Sequence, residues 1–145
     1  VIKIAIYGCS KDKRLKRRLS AAAVLFLRLL MPRKRNIDIR IKLVKDMLTK
    51  EHAHGECYDL DASEDHNYYT IRLDYGDHDV LINTLAHEMV HIKQFARREL
   101  RMLYDGYCAK WKGEKYDEEC DYDLRPWEIE ANAIAAEFVS KHPLI

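Results

Sequence analysis

The period of the hydrophobic pattern changes along the chain, and each change marks an element. Near the start Ile2, Ile4 and Ile6 alternate with other residues, the two-residue period of a strand over Val1–Tyr7. Gly8-Cys9-Ser10 breaks it. Ser10 then reads as the N-cap of a helix running to about Met31. Leu15, Leu19, Ala22, Ala23, Phe26, Leu29 and Leu30 recur at helical spacing and give that helix one apolar stripe. Pro32 stops it, and Arg33-Lys34-Arg35 form an exposed turn. Over Asn36–Val44, Ile37, Ile39, Ile41 and Leu43 point one way while Asp38, Arg40 and Lys42 point the other, which predicts a strand. Glu51–Gly55 reads as a polar bend, Glu56–Asp61 as a short second strand and Tyr68–Asp74 as a third.

After Gly76-Asp77 the helical period returns. A long helix is expected from about His78 to Leu103, with Val80, Leu81, Leu85, Ile92, Ala96 and Leu100 in its stripe. Tyr104–Asp123 reads as irregular or as a small hairpin in which Trp111 packs. The last helix starts near Pro126, which suits a first turn, with Asp123 placed to complement the helix dipole, and ends near Lys141 before Pro143. The result is an α+β layout: an N-terminal helix, a small mixed sheet of three to four strands, a long central helix and a C-terminal helix. A chain of 145 residues suits one domain spanning residues 1–145.

Composition adds little until it is divided. Hydrophobic residues at 48% and charged residues at 34% exclude disorder and fibrous repeats. The formal charge is only +1, but residues 1–50 carry 15 Lys/Arg against 3 Asp/Glu and residues 51–145 carry 10 against 21. Either the two parts attract one another across the fold, or the basic N-terminal third offers a surface to nucleic acid. The most apolar run, Ala21–Met31, is too short to span a membrane and contains Arg28. Cys9, Cys57, Cys108 and Cys120 form no Cys-x-x-Cys pair. Cys108 and Cys120 could bridge a hairpin, but without a recognisable signal peptide free thiols in a cytoplasmic setting are the simpler expectation.

One motif carries chemistry. His87-Glu88-Met89-Val90-His91 lies within the long helix. Residues four apart share a helix face, so the two imidazoles can converge on one zinc ion per chain. Glu88, beside the first ligand, is placed to take a proton from a water at the ion's open position. Zinc needs a third protein ligand. His142 sits at the chain's far end, and the segment from Pro126 to Asn132 offers Glu128 and Glu130. Trp127, Ala131, Ile134, Ala135 and Phe138 define the apolar face of that helix. Glu128 flanks this face, whereas Glu130 is expected farther round, toward Glu137 and solvent, so Glu128 is the better candidate. Asn132, one turn on, could hydrogen-bond the free nitrogen of a ligand histidine. His52, His54 and His66 read as solvated, and His78 lies near a helix start.

His87-Glu88-Met89-Val90-His91 followed by Glu128 and Asn132 resembles the gluzincin pattern of zinc metallopeptidases, and the short length resembles their compact members, the minigluzincins. The resemblance implies a zincin-like fold and hydrolysis of peptide or protein substrates, with His87, His91 and Glu128 as zinc ligands and Glu88 as general base. A second resemblance covers roughly residues 52–95. Gly55-x-Cys57-Tyr58, Ile71-Arg72-Leu73 and Thr84 to His91 are similar to SprT-like proteases, which act on DNA-bound proteins. Their third ligand is a histidine, and no Gly-His pair follows the motif here. A zinc-stabilised binding or regulatory domain without turnover is the reading from another class. A peptide would lie along a sheet edge. Glu56, Cys57 and Tyr58 are the expected edge, with Gly55 as a point of close backbone approach. Tyr104, Tyr107, Tyr116 and Tyr122 are candidate donors to a developing oxyanion.

Overall fold

The structure, a computed structural model, describes residues 1–51, 53–60, 67–103 and 106–143. Strand β1 (Ile2–Gly8) leads to helix α1 (Lys13–Leu30), which returns the chain to β2 (Ile37–Val44). A short helix α2 (Met47–Glu51) precedes β3 (Gly55–Asp59) and β4 (Tyr68–Asp74). Helix α3 (His78–Ala96) is followed by β5 (Leu100–Met102), β6 (Tyr107–Trp111) and β7 (Glu114–Asp117). A 3-10 turn (Tyr122–Leu124) leads to helix α4 (Pro126–Lys141).

The main sheet has the order β1-β2-β4-β3. β1, β2 and β4 run parallel, and β3 is antiparallel at the edge. The sheet is therefore mixed and four-stranded. A second, antiparallel sheet has the order β5-β6-β7. The class is α+β, as the pattern predicts. Ile37, Ile39, Ile41 and Leu43 of β2 and Tyr69, Ile71 and Leu73 of β4 are buried on one sheet face. α1 contributes Leu15, Leu19, Ala22, Ala23, Phe26, Leu27 and Leu30 to the same core, and Phe26 stacks on Phe138 of α4 at 5.9 Å.

Two boundaries, and burial at particular positions, differ from the sequence reading. The N-cap of α1 is Asp12, not Ser10: its Oδ1 accepts the Leu15 N–H at 3.0 Å, while Ser10 Oγ accepts from the Asp12 N–H. α3 ends at Ala96 rather than Leu103, and Leu100 belongs to β5. The stop is a Schellman motif: the Arg98 N–H donates to Phe95 O, the Glu99 N–H donates to Gln94 O, and Arg98 adopts φ 57°. Glycine normally marks this position, and here an arginine holds it, so the sequence carries no stop signal. Val80, expected in the buried stripe, is exposed. The loop after α3 does contain a hairpin, turned at Lys112 and Gly113, both with positive φ as a two-residue hairpin turn requires. Trp111 packs there, 6.3 Å from Trp127. All four cysteines carry free thiols, so Cys108 and Cys120 are not bridged. Among the described residues no helix is long and apolar enough to cross a membrane.

Candidate metal centre

α3 is fastened at its start by Asp77, whose Oδ1 accepts the N–H groups of Asp79 and Val80 at 2.9 and 3.1 Å. From Leu81 onward most of its residues are buried, because the sheet, α1 and α4 surround it. α4 presents Trp127, Glu128, Ala131 and Ala135 as its buried residues. The two alanines keep that face low and let the helices approach. The spacing of His87 and His91 then matters: both imidazoles face α4, and Glu128 projects between them.

His87, His91 and Glu128 form a group that could hold a metal ion. His87 Nε2 lies 3.2 Å and His91 Nε2 2.8 Å from Glu128 Oε1, and the two Nε2 atoms are 3.0 Å apart. A tetrahedral ion with bonds of about 2.0–2.1 Å spaces its ligand atoms by about 3.3 Å, so the triangle needs to open by only a few tenths of an ångström.

Hydrogen bonding decides what this triangle contains. Gln94 Nε2 donates to Trp127 O at 2.9 Å and to Glu130 Oε1 at 3.2 Å. Both partners only accept, which fixes the amide's orientation. Gln94 Oε1 therefore faces His91 Nδ1, 2.7 Å away, and Nδ1 must donate. In neutral His91 the lone pair is then on Nε2, aimed at a carboxylate oxygen and a second imidazole nitrogen. Three electron-rich atoms converge on one partly buried point, an arrangement that requires protons or a cation. Burial alone lowers the proton affinity of His91, but the carboxylates of Glu128 and Glu88 outweigh it and raise its pKa. Burial pushes the Glu128 carboxyl up, and hydrogen bonds from His87, His91 and Tyr122 bring it well below the ordinary carboxylate range.

Glu88 is buried on the same stretch of helix. Burial raises its pKa, against the opposing pull of His91 and His87. The edge strand passes directly over it. A Cβ built on Gly55 would stand 2.6 Å from Thr84 Cγ2 and 3.3 Å from Glu88 Oε1, so only glycine lets β3 come this close to α3. Burial and the charge of Glu88 hold the Cys57 thiol well above its ordinary value. Tyr58 is exposed, and its hydroxyl donates to Glu56 Oε2, which also accepts from Arg72 Nη1 at 2.8 Å.

Tyr122 and Gln94 also enter the site. Tyr122 donates its hydroxyl to Glu128 Oε1 at 2.8 Å, which singles it out from the candidate tyrosines; burial, then this bond, raise its pKa. Tyr107 and Tyr116 lie in the hairpin, and Tyr104 lies outside the described residues. Gln94 takes the part expected of Asn132, which is exposed on α4. The signal for Gln94 was available: it is three residues after His91, on the same helix face. Glu130 does not turn to solvent. It accepts from Lys93 Nζ at 3.1 Å, and Lys93 also pairs with Glu99 at 2.7 Å. His54 and His78 are exposed, and His52 and His66 lie outside the described residues. His142 caps the end of α4 rather than joining the cluster.

Comparison of the chain with models of protein families, with characterised proteins and with solved structures finds no match.

Proposed function

We propose that the chain is a zinc-dependent metallopeptidase of gluzincin type. The observation that carries this reading is the convergence of two imidazole nitrogens and a carboxylate oxygen beside a buried second carboxylate, directly beneath an edge strand. His87, His91 and Glu128 would hold the ion. A zinc ion bound there supplies Lewis acidity toward water and toward a peptide carbonyl oxygen.

The chain's own residues do the rest. Glu88 accepts a proton from the attacking water as its oxygen bonds to the carbonyl carbon, then passes that proton to the leaving amine as the C–N bond breaks. Its burial raises its proton affinity, which suits a group that must both take and return a proton. Tyr122 turns its hydroxyl from Glu128 to the carbonyl oxygen as negative charge develops. Its high pKa keeps it protonated as a donor. Among the described residues β3 has one unpaired side, and Glu56, Cys57 and Tyr58 can take a peptide there as an added strand. Gln94 holds the His91 ring in the tautomer that leaves Nε2 free for the ion.

The test pairs metal content with turnover. One equivalent of zinc is expected in wild type and in Glu130→Ala, and loss of zinc in His87→Ala, His91→Ala and Glu128→Ala. Glu88→Gln should keep the metal and lower cleavage of an unfolded protein at least ~10²-fold. Equal digestion by wild type and Glu88→Gln would overturn the mechanism, and zinc without turnover in wild type would make the centre structural.

A further inference from the structure

The main sheet has two faces, and the metal centre uses only one. α1 and α3 pack against the face of Ile39, Ile41, Ile71 and Leu73. The opposite face is read from the strand register. Its first row is Lys3, Asp38, Tyr68 and Leu60; its second is Ala5, Arg40, Thr70 and Tyr58; its third is Tyr7, Lys42, Arg72 and Glu56. Each of these three rows carries one tyrosine and at least one cation, and beyond them Val44 lies beside Asp74. Tyr7, Tyr58 and Tyr68 are 42%, 45% and 54% exposed, so each offers part of its side chain to solvent. Lys3, Arg40 and Lys42 are exposed as well.

The cations continue beyond the strand ends. Arg33 and Arg35 stand exposed before β2, and Lys45 stands exposed after it. The central strand presents Arg40 and Lys42 on this face, and Arg33, Arg35 and Lys45 are exposed at the ends of the strand, which is about 26 Å long. The acids on the face and at the strand ends are Asp38, Asp46, Glu56 and Asp74; Glu56 is engaged by Arg72 and Tyr58, and Asp74 accepts from the Met47 and Leu48 N–H groups. Cations outnumber acids, so the partner carries negative charge. Tyrosine rings set in register with the cations suit flat bases joined by phosphates better than an acidic peptide, which has no rings to stack.

We propose that this open sheet face binds single-stranded nucleic acid, with Arg40 and Lys42 on phosphates and Tyr58 and Tyr68 stacking on bases. The binding does not depend on the metal centre, which lies across the sheet.

The test is fluorescence anisotropy with labelled oligo-dT and oligo-U of about 15 nucleotides, using the full chain with and without zinc. Wild type is expected to bind both with or without metal. Arg40→Ser with Lys42→Ser should weaken binding at least tenfold and flatten the log–log salt slope by about 1.4, from about 0.7 per lost phosphate contact. Tyr58→Leu with Tyr68→Leu should weaken it about tenfold or more. These side chains are exposed, so the variants should fold, which circular dichroism checks. Arg14→Ser with Arg17→Ser, on the exposed side of α1, should leave binding unchanged. The proposal is overturned if wild type fails to bind. It is also overturned if the α1 pair weakens binding as much as the sheet pair, or if the tyrosine pair has no effect and a duplex or heparin competes equally. Concentration-dependent dimers abolished by the sheet variants, without oligonucleotide binding, would assign the face to a second copy and overturn it too.

Discussion

Gln94 is fully buried, and both ends of its amide are used. A buried amide is costly unless satisfied, so its three bonds hold it rigidly and, through it, the His91 ring. Gln94→Leu removes the acceptor at Nδ1 and the side-chain donor to Trp127 O and Glu130. Zinc affinity measured against a competing chelator is expected to fall about 10- to 100-fold, with a stability loss of about 1–3 kcal/mol in thermal unfolding of the metal-free protein. Tyr122 predicts a different signature, because it bonds Glu128 without completing the triangle. Tyr122→Phe should retain the metal and lower kcat about 10²–10³-fold with little change in KM. Loss of metal in that variant would instead give Tyr122 a positioning role.

Between elements, two contacts fix how α3 meets its neighbours. β3 meets it at Gly55. Gly55→Ala forces the new methyl against Thr84 Cγ2 and should cost about 1–3 kcal/mol, because packed backbone cannot simply withdraw. Adding Thr84→Ser removes that methyl, and the double variant is expected to recover much of the loss in denaturant titrations. On the other side, Lys93 joins α3 to Glu130 of α4 and to Glu99 at the start of β5. Burial tends to raise the Glu130 pKa, and the bonds from Lys93 and Gln94 outweigh it and lower it. A carboxylate with a depressed folded pKa contributes stability that is complete above its ordinary value of 4.5 and fades as pH falls through the folded value. The melting temperatures of wild type and Glu130→Gln, measured with a chelator present, should therefore differ near neutral pH and converge as the pH drops below that value.

At the scale of the molecule, the ligands come from two helices that the sequence separates by 37 residues, from His91 to Glu128. A cation that binds them ties α3 to α4 and is linked to folding. Zinc at about 100 times its Kd adds about 2.7 kcal/mol, which raises the melting temperature by about 5–10 °C for a chain of this size. The shift should vanish in Glu128→Ala. A shift of equal size in that variant would place the ion elsewhere. The sheet divides the molecule into a face packed by helices and a face of exposed cations and tyrosines, while α1 carries a second set of exposed cations on the helical side.

The sequence by itself determined whatever repeats over a few residues. The alternation in β2 and β4, the stripe of α1 except that Leu27 is buried in place of Leu29, the limits of α4 and the shared helix face of His87 and His91 are all local periodicities, and local geometry sets them. The flank position of Glu128 on α4 was legible for the same reason. Only the tertiary structure decided which groups meet from afar. It brought Tyr122 to Glu128, put Gln94 rather than Asn132 on His91, and turned Glu130 toward Lys93, because those choices depend on how helices rotate against each other when their apolar faces close. It also ended α3 at an arginine in a conformation usually left to glycine. There the hydrogen bonds of the chain reversal outweigh the preference of the residue, and no reading of residue types along the chain contains that balance.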